Sequence, residues 1–563
     1  MRRTRTVLFP IILMMLAAAM DGAPRPQYRA FWIETFRTPL ATHRDIDRVV
    51  DAALQANANA LFVQVRRRAD SWYLETAEPL TETPGVGEPA PETGTWTFDP
   101  FRYLIEQAHA HAIEVHAFVI VGSIYRGDPT APNGLPRDKQ HVFLQHIWDA
   151  ANNAPYRGAR QWATRSLPHN PGNTTFNGQR YGTEWYIDLG HPQAAAYTVE
   201  VLMKLVDDYD IDGLHLDRIR YPEAPIDRGG GANVGYNETS VARFKARFGD
   251  RATLDANGWP RTTDPLWAQW RRDQVTSFVR RLYLNAIAHK PQLKISAALI
   301  AFGSGPRASG GFAQTEAYWG VFQDWQTWAR EGILDIVTPM TYKREHVAVE
   351  RAQFDDWVNF TTELARTSGR LSMPGIGAYL NPVEGTLRQA RRAGDAADGI
   401  IFFAVGDTTP NSTAANSTNA AMKHNPFARG AATPKRPNAD FFAALRRGTT
   451  ADGAHRFELA SLRPIFAEGA PPPVMAWKSA PAAGHVMGFA RDTNGAARDG
   501  ANILIEALEG GMKRMVTTDG GGFFGAVGLP PGNYRIDGCT FRILAGSVAR
   551  IDVPCPGAAE TAE

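Results

Sequence analysis

Cysteine is nearly absent. The chain of 563 residues has two, Cys539 and Cys555, both near the C-terminus. Everything before them is without a thiol nucleophile or a cysteine-based zinc site. Charge of one sign is also missing. Sixty Lys and Arg stand against 58 Asp and Glu, a formal net charge of +2. That balance excludes a general electrostatic pull towards nucleic acid. No glycine-rich phosphate loop of the P-loop or dinucleotide type occurs, so no nucleotide cofactor is expected. No His-x-x-x-His pair or carboxylate cluster has ligand spacing, so no metal is expected either. One long apolar run exists, Val7 to Met20, and it is short for a membrane span. Arg2, Arg3 and Arg5 precede it and small residues follow, the pattern of a signal peptide over 1–23, cleaved near Ala19 to Ala23. Export is expected, periplasmic or extracellular. With no Cys near that segment, a lipoprotein is not. In an exported chain Cys539 and Cys555 read as a disulfide.

What is present is a globular composition, 44% hydrophobic and 21% charged. Eight strand candidates can be counted: Ala30 to Phe36, Ala60 to Arg66, Ile113 to Val121, the stretch around position 213, Lys294 to Ile300, Asp335 to Tyr342, Met373 to Leu380 and Gly399 to Val405. Amphipathic runs lie between most of them: Asp45 to Gln55, Phe101 to His111, Ala194 to Tyr209, Trp270 to His289, Phe322 to Arg330 and Val383 to Ala393. Alternation of this kind predicts an α/β fold, a (β/α)8 TIM barrel with long loops, over 27–450. Phe441 to Arg447 reads as its last helix. Residues 451–483 read as a linker. Seven short strands separated by Gly and Asn turns then predict a small all-β sandwich over 484–556.

The most informative stretch is Ile211-Asp212-Gly213-Leu214-His215-Leu216-Asp217-Arg218-Ile219-Arg220-Tyr221-Pro222. On a strand, side chains alternate, so Gly213, His215 and Asp217 share one face. A polar face on so apolar a strand is costly unless it lines a site. In a parallel barrel, a charge at the C-terminal end of a strand reads as catalytic. The same parity turns Trp32 and Glu34, Gln64 and Arg66, Tyr342, and Tyr379 inward. The expected site set is then Glu34, Arg66, His116, His215, Asp217, Tyr342 and Tyr379, with Trp32, Asp70 and Tyr221 beside them. Carboxylates, Arg and aromatic rings suit a neutral, hydroxyl-rich ligand. Glycoside hydrolysis needs two carboxylates across the scissile bond. Asp217 is the first, expected as nucleophile or base, with Arg66 and His215 keeping it ionised and oriented. Glu34 is the favoured partner, with Glu316, Asp188 and Asp70 as alternatives. Trp148 and Trp162, in the long loop Gly122 to Trp185, read equally as sugar platforms or as packing.

Several segments, taken in order, carry a family resemblance: RAFWIETF, NANALFVQVRRRADSWYL, FDPFRYLIEQAHAHAIEVHAFV, WYIDLGHPQAAAYTVEVLMKLVDDYDIDGLHLDRIRYP, DWQTWAREGILDIVTPMTY and PGIGAYL. Across roughly Tyr28 to Val405 the chain resembles the glycosyl-hydrolase-like 10 (GHL10) proteins of bacteria. They include exported enzymes that cut peptide-free peptidoglycan strands. The resemblance implies a (β/α)8 barrel and a polysaccharide substrate. One departure matters: relatives often carry two successive acids after the strand-four His, as in DGIHFDDYFYP, and here the second position is Arg218. A second resemblance lies in GHVMGFARDTNGAARDGANILIEA and TTDGGGFFGAVGLPPGNYRI, which are similar to carboxypeptidase-regulatory-like sandwiches, usually accessory modules. The expectation is an exported glycoside hydrolase. The competing expectation is a carbohydrate-binding envelope protein without turnover.

Overall fold

The computed structural model describes residues 25–36, 40–88, 94–172, 174–176, 178–227, 230–406, 408, 437–457 and 464–555. The expected signal peptide over 1–23 lies outside them.

The barrel strands are β1 (Tyr28–Ile33), β2 (Ala60–Arg66), β3 (Glu114–Ile120), β4 (Gly213–Asp217), β5 (Lys294–Leu299), β6 (Ile336–Pro339), an interrupted β7 (Leu371–Ser372 and Gly375–Gly377) and β8 (Gly399–Phe403). All pairings are parallel. The two pieces of β7 lie at opposite ends of the sheet order. Leu371–Ser372 pairs with β6 and Gly375–Gly377 with β8. Between them Met373 N–H reaches Val337 O at 2.9 Å, and Ile401 N–H reaches Pro374 O at 3.2 Å. The interrupted strand therefore closes the ring.

A helix follows each strand: α1 (His43–Ala56), α2 (Pro100–His109), α3 (Pro192–Asp208), α4 (Pro265–His289), α5 (Trp325–Glu331), α6 (Ala348–Ser368), α7 (Val383–Ala396) and α8 (Asn438–Arg447). Their starts are written locally. Thr42 caps α1, and Asp99 and Asp264 cap α2 and α4 ahead of a Pro in the first turn. The sequence reading assigned no element to 348–368. There α6 buries Phe354, Trp357, Val358, Thr361, Leu364 and Ala365 along one face.

Each strand divides its side chains between two cores. Outward residues such as Phe31, Val63, Val115 and Leu214 pack under the helices. Inward residues, Tyr28, Ala30, Trp32, Phe62, Phe118, Ile120, Ile336 and Ile401, fill the barrel. The floor is polar. Glu114 accepts from Lys294 Nζ at 2.6 Å, Tyr28 OH at 3.1 Å and His116 Nε2 at 3.2 Å. Part of the segment expected as a linker seals this end. Met475 joins the inward core, Trp477 Nε1 donates to Asp335 at 2.7 Å, and Lys478 pairs with Asp335 at 3.1 Å.

The C-terminal region has two sheets. One is β9 (Gly484–Phe489), β12 (Phe523–Leu529) and β15 (Val548–Arg550). The other is β10 (Asn502–Ala507), β11 (Lys513–Thr517), β13 (Gly532–Ile536) and β14 (Cys539–Ile543). They share a core of Val486, Ile503, Ile505, Phe524, Tyr534 and Ile543. Cys539 and Cys555 form a disulfide. The sandwich docks on the barrel. Arg243 forks onto Asp499 at 2.6 and 2.7 Å, and Met487, Phe523 and Val527 join the barrel's outer core.

Gly213, in the central motif, has no room for a side chain. A Cβ there would overlap His116 Nδ1 and stand 2.8 Å from Lys294 O. Gly213→Ala should cost about 2 kcal/mol, the scale of overpacking a tight core. Urea unfolding measures it, and an unchanged midpoint would show that the floor repacks freely.

Candidate active site

The inward face of β4 rises in layers. Gly213 sits beside His116 on the floor, His215 lies above, and Asp217 stands at the mouth. His215 is fully buried. Its Nε2 accepts from Trp32 Nε1 at 3.0 Å, and its Nδ1 meets Ser296 Oγ at 2.8 Å. Indole N–H is only a donor, so Nε2 is unprotonated and Nδ1 carries the proton. Phe62 and Phe118 box the ring edge-on. Burial, then the nearby His116, pulls the imidazole well below its ordinary pKa. His215, fully enclosed, holds Trp32 and Ser296 in place beneath the mouth.

Asp217 is half-buried at the strand end. Its Oδ1 accepts from Arg218 N at 2.7 Å. Burial pushes its carboxyl up, against the opposing pull of Arg218 and Arg220. Arg218 adopts φ +49°, a left-handed turn uncommon for a long side chain. The turn is hemmed in by β3, whose continuation bonds Val121 N to Asp217 O at 2.8 Å and Gly122 N to Arg218 O at 3.1 Å. A Cβ at Gly122 would stand 2.6 Å from Arg218 O.

The chain beyond Gly122 forms a small sheet over the mouth, with Ser123–Arg126 pairing against Glu184–Tyr186. Glu184 and Tyr186 share a face by alternation. Arg218 Nη1 pairs with Glu184 Oε2 and lies 2.5 Å from Tyr186 OH, which donates to the same Oε2 at 3.0 Å. The charge of Glu184 also bears on Asp217, pushing its carboxyl further up. Sequence reasoning missed Glu184. Its signal was Arg218, a cation in an acid's place that needs a counter-charge.

The opposite wall is aromatic. Tyr342 stands 6.2 Å from Trp32, 6.1 Å from Tyr379 and 5.6 Å from Phe403, centroid to centroid. Tyr342 and Phe403 are half-buried, and Asp217 acts electrostatically on the Tyr342 hydroxyl.

The expected set is thus partly dispersed. Trp32, His215, Asp217, Tyr342 and Tyr379 converge. Glu34 follows the end of β1, above Trp32, but is only 1% exposed, and its Oε2 accepts from Phe36 N at 2.6 Å. Arg66 points away from the mouth. The β2–β3 register shifts between Gln64 and Arg66, so the bulge carries Arg66 to the outer face. There it forks onto Glu78 at 2.6 and 2.7 Å, beside Tyr197. His116 belongs to the floor, stacked on Phe62 at 4.1 Å. Tyr221 is buried against Phe322 and bonds Asp188 at 3.4 Å. Asp188 is sealed in that core, where burial pushes its carboxyl up to about 6 against hydrogen bonds that lower it. Asp70 turns back to Arg68 N at 3.0 Å. Glu316 is exposed on the rim with Glu223 and Arg220 as electrostatic neighbours. Trp148 packs against Trp185 and Phe176, and Trp162 stacks on His146 at 3.5 Å, so both build the loop. Among the described residues no group of three or more His, Cys, Asp or Glu could hold a metal ion. No described helix is long and apolar enough to cross a membrane.

With this geometry in hand, the family model described as glycosyl hydrolase-like 10 matches residues 27–371, more than half of the chain. The chain belongs to the glycosyl hydrolase-like 10 family. It is similar to the glycosyl hydrolase YngK of Bacillus subtilis (strain 168), 23% identical over 301 residues, which are 52% of this chain and 48% of that protein. The chain thus spans about half the length of that relative. Among solved structures it is similar to the PgaB (BpsB) glycoside hydrolase domain of Bordetella bronchiseptica, at 13% identity and TM-score 0.43 over 68% of this chain and 95% of that one. It is also similar to the β-amylase catalytic domain of Paenibacillus polymyxa, at 11% identity and TM-score 0.45 over 73% and 100%.

The raised carboxyl of Asp217 has a consequence for stability. The folded protein holds that proton more tightly than the unfolded chain does. Stability is therefore lost as pH rises from the unfolded value, about 3.9, through the higher folded one, and stays lost above it. Asp217→Asn should melt higher than wild type at pH 7, and the gap should close in acid. Thermal melting across pH measures this; a variant that melts lower at pH 7 would contradict it.

Proposed function

We propose that this protein is an exported glycoside hydrolase that cuts O-glycosidic bonds in a polysaccharide, with peptide-free peptidoglycan strands as its substrate. The observation that carries the reading is the pairing at the mouth. A half-buried aspartic acid with a raised carboxyl stands beside a glutamate ion-paired to arginine, opposite an aromatic wall. Two carboxylates held in different protonation states are what general-acid cleavage of an acetal needs. Asp217, whose carboxyl burial raises, is the general acid that delivers a proton to the leaving glycosidic oxygen. Glu184, ion-paired to Arg218, is the second carboxylate: as the glycosidic bond breaks it faces the positive charge that develops on the sugar ring and takes a proton from the water that adds to the anomeric carbon. It is preferred over Glu34 because it reaches solvent and acts electrostatically on Asp217, whereas Glu34 is enclosed. Tyr342 and Phe403, both half-buried, offer ring faces and a hydroxyl to a pyranose, and the buried Tyr379 backs them. Arg218 takes the place of the second acid seen in relatives, and its partner from the neighbouring loop restores the pair. The peptidoglycan substrate rests on the sequence resemblance, and export on the N-terminal segment. The sandwich, similar to accessory modules, is assigned a supporting role.

Asp217→Asn and Glu184→Gln should each fold and lose at least about 100-fold in turnover, the scale of a principal proton-transfer group. Release of new reducing ends from peptide-free glycan strands measures it. Wild-type turnover by Asp217→Asn removes that residue from the chemistry. Retention of strands by the wild-type protein without new reducing ends identifies a binding protein instead.

A further inference from the structure

A cationic cavity lies away from the mouth, on the outer flank of the barrel where the sandwich docks. Its volume is about 500 Å3. Four guanidiniums from four elements line it: Arg247 from the helix Glu238–Phe248, Arg280 from α4, Arg330 from α5 and Arg514 from β11. Two carboxylates share the space. Glu331 is committed to Arg280, forked onto its Nε and Nη2. Asp273 accepts from Gln269 at 2.7 Å, and burial pushes its carboxyl up despite the nearby Arg247. Among the described residues Arg247 and Arg330 form no ion pair, and Arg514 donates to the Val527 carbonyl at 2.7 Å. Like charges brought together across a domain junction repel unless an anion joins them. Gln274, Ser277, Thr327, Thr517 and Thr518 complete the wall with hydroxyls and an amide, groups that bond sugar hydroxyls. The space far exceeds one phosphate and falls within the range of pockets that hold organic ligands.

We propose that this cleft binds the carboxylates of an acidic sugar chain, holding it on the barrel flank while another part of the chain enters the mouth. Arg247, Arg330 and Arg514 grip the carboxylates, and guanidinium geometry matches a carboxylate's two oxygens. The proposal deepens the glycan reading above. A peptide-free peptidoglycan strand carries one free carboxylate on every muramic residue.

The test uses the full chain carrying Asp217→Asn, which stops turnover and lies outside the cleft. Calorimetric titration compares a galacturonate hexamer, maltohexaose, peptide-free glycan strands, the same strands with carboxyls reduced to alcohols, and inorganic phosphate. The galacturonate hexamer and the native strands should bind, more weakly as salt rises, and lose at least about tenfold in affinity with Arg247→Gln/Arg330→Gln, as for lost charge-assisted contacts. Carboxyl reduction should have the same effect on the strands. Thermal melting checks that the double variant folds; if it does not, Arg330→Gln, on an exposed side chain, carries the comparison. Equal affinity in the variants, equal affinity for reduced strands, or binding of phosphate without the hexamer overturns the proposal. Hexamer binding lost with the arginines, alongside glycan strands that the wild type never cleaves, leaves the cleft standing and removes the peptidoglycan reading.

Discussion

The hydrogen bond from Trp32 to His215 is the constraint on which the rest of the site depends. It crosses the barrel interior and ties β1 to β4, while Ser296 on the far side of the ring brings in β5. Because indole can only donate, the bond also fixes the tautomer of His215. Enclosed by Phe62 and Phe118, the imidazole stays neutral. That neutrality matters one layer up. An imidazolium beneath Asp217 would favour its carboxylate and pull its pKa down. With no cation below, burial dominates and the carboxyl stays raised. One buried contact thus sets both the geometry and the electrostatics of the mouth.

The eight-strand count, the inward face of β4 and the aromatic residues Tyr342 and Tyr379 that follow β6 and β7 were legible, because they follow from the period of a strand and the alternation of elements. Three things were not. Depth was one: His116 and His215 share inward parity, yet one belongs to the floor and the other to the middle, and only register separates them. Local irregularity was another. Period-two reasoning turned Arg66 inward, and a single bulge reversed it. The third was loop placement. Glu184 sits far along the insertion between β3 and α3, and its approach to Arg218 depends on Gly122 letting the loop pass close to the β4 exit. Helix α6 escaped notice for a milder reason: Thr361 interrupts its apolar stripe, and packing against the strands supplies what local preference does not.

Arg218 shows how a site can change residues and keep its charge pattern. A second acid beside Asp217 would bring two like charges into one turn and raise a carboxyl by repulsion alone. Here the turn holds a guanidinium, and the acid arrives from another loop. The pair is half-buried, with side-chain exposures of 27% and 22%, so it is only partly desolvated, and the Tyr186 hydroxyl shares the bonding. Such a pair fixes orientation more than it adds stability. Its worth lies in holding the Glu184 carboxylate, ion-paired to Arg218, beside Asp217, whose carboxyl burial raises.

The sandwich is fastened by the same kinds of contact that build the barrel. Gly525 leaves no space between β12 and Leu284 of α4, Arg243 forks onto Asp499, and Arg281 reaches Asp519 at 3.4 Å. Apolar residues of β9 and β12 continue the outer core of the barrel. A junction of this kind holds its arginines in place before any ligand arrives. An anionic chain that settles there meets a preformed surface, so its binding costs little ordering of the protein. Under the function proposed above, an acidic glycan bound at the junction and entering the mouth would be held from two fixed points. The separation of those points would then decide which bond of a long chain is presented to Asp217.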